Sequence, residues 1–330
     1  MSTIKDVAFA AKVSASTVSR VLSGHAYVDD KTKARVLEAV AELEYQPNTL
    51  ARALKDGHTN TIALVVPNIQ NQIFPLIVRG VEDTARKNGF TVIFCNTDED
   101  GLVEKDYINK LQKNSTDGFI FATAISTSSH IVELRNKGVP VVLVSRSLEN
   151  KVDAVIINNY KVGREATEYL IKTGHKRIGI ACGRVELSIY KDRFRGYCDA
   201  LTDAKMEINQ QLIMQETNGT NSLYALTHKM LEHGAAPDAV FCTSDPKAIV
   251  VMRAIKDFGL RIPEDISIIG VDNVEVSSLV EPPLTTISQP LYEMGAMAAK
   301  KLISIIRSKT MSEPIIDVMN TDLIIRKSTR

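Results

Sequence analysis

Small, hydroxylic and basic side chains lie together on the outer side of one short helix predicted near the N-terminus. The residues are Ala15, Ser16, Thr17, Ser19 and Arg20. Such a surface suits the major groove of DNA, where phosphates would repel a bulky acidic face. We expect Ser16 and Arg20 to reach base edges, and the methyl group of Ala15 to meet a thymine. The hydroxyls of Thr17 and Ser19 are placed for phosphates, and a phosphate clamp is the alternative role of Arg20.

A second set of candidate side chains follows the strands predicted in the remaining chain. These are Asn68 and Phe74 after the first strand, Ser145 and Arg146 after the fourth, Arg184 and Arg193 after the sixth, Asp245 after the eighth and Asp272 after the ninth. Ligands of open α/β sheets bind outside the carboxyl ends of the strands. Carboxylates, amides, guanidinium groups and one aromatic ring together suit a polyol, because they hydrogen-bond its hydroxyls and cover its C–H face. If Arg146 and Arg184 enter this site, the ligand becomes a sugar acid or a phosphorylated sugar.

Several of these residues also have a structural alternative. Asp245 can cap the helix that it opens, and Asp272 can be a turn former at a strand end. Phe74 can be ordinary packing, and Arg193 can be a surface cation. The sequence alone leaves both possibilities open for each residue.

The first 58 residues predict short helices and no strand. Apolar residues at helical spacing indicate helices over residues 4–11 and 15–22, and a third that starts after Asp29 or Asp30 and ends before Pro47. A fourth short helix is predicted from Asn48 to about Lys55. A generic three-helix bundle without a DNA role is the alternative.

Two hydroxyl residues precede the first two helices. Thr3, with Asp6 three residues on, resembles a capping box, and Ser14 is suited to cap the second helix. Residues 1–55 hold eight basic and six acidic side chains, a net charge of +2. The charge supports DNA binding only weakly.

From Thr61 onward, short apolar strands alternate with amphipathic helices. The predicted strands are Thr61–Val66, Thr91–Asn96, Gly118–Ala122, Pro140–Val144, Ala154–Asn158, Arg177–Ala181, Gln211–Glu216, Ala239–Thr243, Ile266–Val271 and Leu284–Ser288. Strands that are apolar on both faces belong in parallel sheets covered by helices. Two groups of five strands predict two doubly wound halves instead of one large sheet.

Composition excludes several classes of protein. The chain has 330 residues, 44% of them hydrophobic, and a net charge of +1, which indicates an ordered protein of two or three domains. No apolar run approaches the length of a membrane helix, and the N-terminus lacks the apolar core of a signal peptide. Four scattered cysteines predict buried thiols in a reducing compartment. We expect no cofactor, no metal site and a cytoplasmic location.

Several motifs resemble the lactose-repressor/galactose-repressor family of bacterial transcription regulators. They are Thr3–Ala8, Val13–Leu22, Tyr45–Asn48, Ala51–Leu54, Gly174–Gly179, Arg193–Tyr197, Gly270–Asn273 and Pro283–Pro290. The resemblance covers essentially the whole chain, with the motifs in the family's order. It implies an N-terminal all-α helix-turn-helix head joined to an α/β core of two doubly wound parallel-sheet lobes, like a periplasmic binding protein.

The resemblance also implies domain boundaries. The helix-turn-helix head would span residues 1–46, and a hinge helix with its linker residues 47–59. The effector-binding and dimerisation core would span residues 60–330. Its first lobe would comprise about 60–158 and 291–318, and its second lobe about 159–288 and 319–330.

In this family the head and the hinge helix both contact DNA. The resemblance therefore implies DNA contacts in the hinge from Asn48, Ala51, Leu54 and Lys55, besides Thr3, Ser14 and the second helix. Leu54 matches the leucine that wedges a central base step in the minor groove, a known way to bend DNA. Its alternative is a contact with the head.

The expected function is that of a sequence-specific DNA-binding regulator, most simply a repressor, controlled by a carbohydrate-like effector. By resemblance, Arg193, Asp272, Asp245, Asn68 and Phe74 match effector contacts. We expect a homodimer, because two heads on a palindromic operator need a two-fold core interface. We expect no leucine-heptad tail after the last strand, the feature that makes tetramers of the lactose-repressor type.

Three alternatives to this function differ from it in the sequence features that they require. A sugar-transport protein would lack the head, and an enzyme would need a motif such as G-x-G-x-x-G, G-x-S-x-G or H-E-x-x-H, none of which occurs. Control by a protein co-effector instead of a metabolite is the nearest rival.

Overall fold

The computed structural model describes residues 2–23, 28–45, 58–113, 116–216, 219–234 and 236–330. The chain divides into two compact units, Met1–Thr59 and Asn60–Arg330, called here the head and the core. The predicted hinge helix, with Asn48, Ala51, Leu54 and Lys55, lies outside the described residues. No helix in the described ranges is both long and apolar enough to cross a membrane.

The described part of the head is built from helices α1 (Ile4–Ala10), α2 (Ala15–Ser23) and α3 (Asp30–Glu42). Their inward faces bury Val7, Val18 and Val36, as the helical spacing of apolar residues predicted. Both predicted caps are confirmed. Thr3 and Asp6 form a reciprocal capping box at α1, and the Ser14 hydroxyl accepts a hydrogen bond from the Thr17 amide at 3.1 Å.

The first lobe of the core is a six-stranded parallel sheet in the order β11-β5-β4-β3-β1-β2. Its strands are β1 (Thr61–Val66), β2 (Thr91–Asn96), β3 (Gly118–Phe121), β4 (Val141–Val144), β5 (Asp153–Ile157) and β11 (Ile316–Met319). The helices of this part of the chain are α4 (Ile73–Lys87), α5 (Gly101–Lys113), α6 (Ser129–Asn136) and α12 (Leu291–Ser308).

The second lobe has the sheet order β12-β10-β9-β8-β6-β7, in which β12 runs antiparallel to β10. Its strands are β6 (Ile178–Cys182), β7 (Ile213–Gln215), β8 (Ala239–Cys242), β9 (Ser267–Asp272), β10 (Thr285–Ser288) and β12 (Asp322–Ile324). Its helices are α7 (Asn159–Lys172), α8 (Ser188–Asp203), α9 (Ser222–Glu232), α10 (Asp245–Asp257) and α11 (Val276–Leu279), with a 3₁₀ turn at Gln210–Leu212.

The chain passes between the lobes three times: after β5, after β10 and between β11 and β12. The ten strands predicted from residue 61 onward are all present, each within two residues of its predicted ends. Strand β11 was not predicted. It has only four residues, follows Pro314, and lies half-exposed at a sheet edge, so it lacks the continuous apolar run of a buried strand.

Each lobe contains a pair of helices that meet at glycines. A Cβ atom at Gly80 of α4 would overlap the carbonyl oxygen of Tyr292, and one at Gly295 of α12 would overlap that of Ile77. In the second lobe, Gly163 of α7 and Gly196 of α8 make the same close approach. The α7–α8 crossing holds the start of α7 beside the middle of α8, where Arg193 lies.

Candidate functional site

Helix α2 of the head presents the predicted DNA-reading surface. Ser16 and Arg20 are exposed, and Ala15, Thr17 and Ser19 are half-buried around the inward-facing Val18. The Ser14 hydroxyl lies 2.7 Å from that of Ser16 and 2.9 Å from that of Thr17. This cluster of hydroxyls forms the N-terminal end of α2, which is the end that reads bases in a helix-turn-helix.

The turn before α2 and the cap of α1 fix the direction of the two helices. Lys12 takes φ +53° in the turn that joins them. At the start of α1, the Thr3 amide donates a hydrogen bond to the Asp6 carboxylate at 2.7 Å, and the Thr3 hydroxyl donates a second one. These two hydrogen bonds lower the pKa of Asp6. Thr3 is exposed at the start of α1, and its hydroxyl takes part in the cap.

In the core, Arg193 is buried on α8 and joins residues from three other segments. Its Nε donates to Asn159 Oδ1 at 2.9 Å, and its Nη1 donates to the carbonyl of Thr243. Nη1 also lies 4.0 Å from Asp272 Oδ1. Arg193 is 3% exposed, so the surface-cation alternative is wrong. The guanidinium group lies where α7 begins and where β8 and β9 end.

Asp272 closes β9 in a backbone conformation that side chains rarely adopt, with φ +120°. Its Oδ1 accepts a 2.6 Å hydrogen bond from the amide of Gln289. Burial raises the pKa of Asp272 to about 6, although Arg193 and Gln289 both favour the charged carboxylate. Gln289 stands in the crossover that leads into α12, so Asp272 connects the site to the passage between lobes.

Asp245 supports the site from behind instead of capping its own helix. Its carboxylate accepts from the Val274 amide at 3.0 Å and from the Thr286 hydroxyl at 2.6 Å. Gly270 leaves the room that this carboxylate occupies. Burial, followed by the charge of Asp272, raises the pKa of Asp245 to about 8. The side chain is fully buried and fixes the segment after Asp272.

A cluster of three charged residues joins the first lobe to the second. Arg146, after β4, donates to both oxygens of Glu99 at 2.7 and 3.2 Å, and to the Thr123 carbonyl at 2.9 Å. Arg184, after β6 in the other lobe, lies 3.9 Å from Glu99 Oε1. The carboxyl ends of the two sheets therefore face each other across a cleft.

The remaining predicted effector residues occupy different surroundings. Asn68 is exposed, and its Oδ1 accepts from the Gln70 amide at 2.8 Å. Phe74 is buried in the core next to β1, in keeping with its packing alternative. Ser145 is half-buried with φ +68°. An effector role for these three residues stays a prediction.

A cavity of about 760 Å³ lies among the strand ends of the first lobe and α8 of the second. Ser145 and Arg146 are among its lining residues, whereas Arg184, Arg193 and Asp272 are not. Its volume is within the range of small-molecule sites. In the described part of the chain, no three His, Cys, Asp or Glu side chains are grouped so as to hold a metal ion.

Sequence reasoning missed Glu99, Thr243 and Gln289 as parts of this site. Glu99 follows β2, so the rule used for the other strand ends would have found it. Thr243 contributes its backbone carbonyl, which carries no side-chain signal. Gln289 directly follows β10, which pairs with β9 beside Asp272, so the same rule would have found it.

Comparisons with known proteins agree with this architecture. Residues 3–48 match the family model described as bacterial regulatory proteins, lacI family. Residues 59–324 match periplasmic binding proteins and the sugar-binding domain of the LacI family. The chain is 36% identical over 330 residues to the HTH-type transcriptional repressor PurR of Aliivibrio salmonicida (strain LFI1238), which covers 99% of both chains.

Two solved structures are similar over the same extent. The lac repressor dimer bound to operator and the anti-inducer ONPF has a TM-score of 0.90 at 27% identity, covering 99% of both chains. The complex of the regulator CelR with cellobiose has a TM-score of 0.75 at 32% identity, covering 99% of this chain and 100% of that one. With its helix-turn-helix head and two-lobed core, the chain belongs to the LacI family of bacterial regulatory proteins.

Proposed function

We propose that this chain is a sequence-specific DNA-binding repressor whose operator affinity is set by a carbohydrate-like effector bound between the two core lobes. The observation that carries the proposal is the buried Arg193–Asn159–Asp272 arrangement at the strand ends, in a chain that also has a DNA-reading head. A buried guanidinium group and carboxylate 4.0 Å apart can donate to one hydroxyl and accept from another.

On the DNA side, the N-terminal end of α2 enters the major groove. Ser16 and Arg20 read base edges, Ala15 contacts a thymine methyl, and Thr3, Ser14, Thr17 and Ser19 contact phosphates or support those that do. Asn48, Ala51, Leu54 and Lys55 contribute minor-groove contacts. The similar lac repressor dimer, solved on its operator, supports this mode of binding.

On the effector side, Arg193 and Asp272 hold the ligand from the second lobe, with Asp245 fixing the segment behind them. Asn68, Phe74, Ser145, Arg146 and Arg184 complete the site from the cleft edges. The cellobiose complex of a regulator 32% identical to this chain supports a carbohydrate ligand.

The active species is a homodimer in the cytoplasm, without a cofactor and without catalysis. Edge strand β2 exposes Ile93 and Phe94, and Leu76 of the adjacent α4 is 44% exposed. A cluster of exposed apolar side chains beside an edge strand is typical of an interface. A two-fold dimer would match a palindromic operator.

A thermal-shift screen of the full chain against sugars, sugar acids, sugar phosphates and nucleobases tests the effector half of the proposal. A ligand at about one hundred times its Kd should stabilise the protein by about 2.7 kcal/mol. The hit should disappear in Arg193→Ala and persist in Arg253→Ala, which removes an exposed cation of the same lobe. A flat screen with folded protein would favour a protein co-effector.

A further inference from the structure

We propose that the effector is an anion, a sugar phosphate or a sugar acid, and that Arg184 binds its charged group at the mouth of the cleft. This inference rests on the proposed function, and it narrows the chemical class of the effector. It comes from the way Glu99 is shared between two arginines of opposite lobes.

The two contacts of Glu99 differ in strength. Arg146 is 6% exposed in its side chain and binds Glu99 through two nitrogen–oxygen contacts, the shorter of 2.7 Å. The Thr123 carbonyl holds the same guanidinium group from another side. Bidentate pairs of this kind are among the strongest hydrogen-bonded contacts in proteins. The Arg146–Glu99 pair is therefore a fixed part of the cleft wall.

Arg184 is held much less firmly. Its side chain is 47% exposed, and its Nη2 is 3.9 Å from Glu99 Oε1, beyond hydrogen-bond distance. Within this cluster two guanidinium groups share one carboxylate, and Arg146 holds the shorter contacts with it. An incoming anion can therefore pair with Arg184 without breaking a bidentate contact.

The carboxylates deeper in the cleft already have partners. Asp272 accepts from Gln289 and faces Arg193. Asp245 accepts from Val274 and Thr286, and the raised pKa of its carboxyl further limits its negative charge. Glu216 pairs with the buried Lys247 at 2.9 Å. A cationic ligand would find these carboxylates engaged, whereas an anionic one finds Arg184.

The binding geometry follows from these contacts. The oxyanion of the ligand replaces the long Arg184–Glu99 contact, while Arg146 keeps Glu99 in place. A guanidinium group can bind a phosphate or a carboxylate in a planar fork. Hydroxyls of the same ligand then reach Arg193 and Asp272, so Arg184 selects the charge and the deeper residues select the polyol.

Isothermal titration calorimetry of the full-length protein tests this directly. The probes are glucose with glucose 6-phosphate, ribose with ribose 5-phosphate, and glucose with gluconate, each at low and high salt. The variants are Arg184→Gln and, as a matched control in the same lobe, Arg253→Gln, whose side chain is 77% exposed.

We expect at least one charged member to bind about tenfold or more tightly than its uncharged partner, a preference that weakens with salt. Arg184→Gln should remove most of that preference, because it weakens the charged member of the pair much more than the uncharged one, while Arg253→Gln should behave as wild type. An uncharged sugar that binds as tightly as its charged partner, or a preference that survives Arg184→Gln, would overturn the inference and leave the proposed function standing. If none of the sugars binds in either form, the anionic-effector inference fails together with the carbohydrate part of the proposed function.

Discussion

Single side chains define both ends of the proposed mechanism. In the head, Arg20 is exposed on α2 and reaches outward from a helix whose N-terminal end is fixed by Ser14. In the core, Arg193 is buried among Asn159, Thr243 and Asp272. In the proposed mechanism, Arg20 contacts DNA at the protein surface, and Arg193 binds an effector that enters the cleft.

Arg20→Ala distinguishes base reading from phosphate binding. A bidentate contact with guanine contributes about 1–3 kcal/mol of discrimination. We expect the variant to lose that much affinity for the best operator and little for random DNA, measured by fluorescence anisotropy. Equal losses on both DNAs, with a shallower salt dependence, would instead identify a phosphate contact.

Asp245 predicts a pH dependence of stability. The pKa of Asp245 in the folded protein is about 8, above its ordinary value of 3.8. At a pH between these two pKa values, unfolding releases a proton from Asp245. The free energy of unfolding therefore falls as pH rises towards 8. Asp245→Asn keeps the shape and removes this titration. Urea unfolding between about pH 5 and about pH 8 should show the wild type losing stability relative to the variant. Parallel pH profiles for the two proteins would contradict the assignment.

Prediction of individual site residues succeeded for residues that follow a predicted strand. Arg193 and Asp272 were both proposed on that basis, and the structure brings them to 4.0 Å. It was incomplete where the contact depends on another lobe. Nothing in the local sequence around Glu99 indicates that Arg184 of the second lobe lies opposite.

At the scale of elements, buried strands and capped helices were the most predictable features. The runs Thr61–Val66 and Thr91–Asn96 were placed without error, because apolar stretches bounded by polar turns leave little choice of ends. Strand β11 was missed because it has only four residues, one of them Asp317, and so lacks the apolar run of the other edge strand, β2. The glycine contacts between helices were also invisible, since close backbone approach depends on tertiary packing.

The crossing of α7 and α8 should depend on its glycines. Gly196 lies in α8, the helix that carries Arg193. Gly196→Ala places a methyl group against the carbonyl oxygen of Tyr160 in α7. Overpacking of this kind costs about 1–3 kcal/mol, and the loss should be visible in urea denaturation.

Gly101→Ala is the control for that variant. Gly101 begins α5 and has nothing within 4 Å of its would-be Cβ. We expect it to be neutral or to stabilise the protein by up to about 1 kcal/mol. If the free energy of unfolding of Gly196→Ala equalled that of Gly101→Ala, α7 and α8 would not approach each other as closely as the structure shows.

At the scale of the whole molecule, an assembly interface is proposed on α4 and β2. Phe94 is 39% exposed on the edge strand. Phe94→Glu puts a charge into that surface. We therefore expect the dissociation constant of the dimer to rise at least tenfold, which corresponds to about 1.4 kcal/mol. Sedimentation velocity measures this change.

Ile325→Glu provides the comparison, because Ile325 is 62% exposed beyond β12 in the other lobe. It should leave the dimer intact. If Phe94→Glu sediments as wild type does, α4 and β2 are not part of the dimer interface.

We propose that a ligand in the core changes the affinity of the head for DNA. An anisotropy titration of a selected operator tests this with wild type, Arg193→Ala and Arg253→Ala, each with and without the effector. Coupling between two sites is typically about 1–3 kcal/mol, so the effector should change the operator Kd about 5- to 150-fold. We expect that change in wild type and Arg253→Ala, and its loss in Arg193→Ala. A wild-type operator Kd that stays the same while the effector is bound would contradict the account.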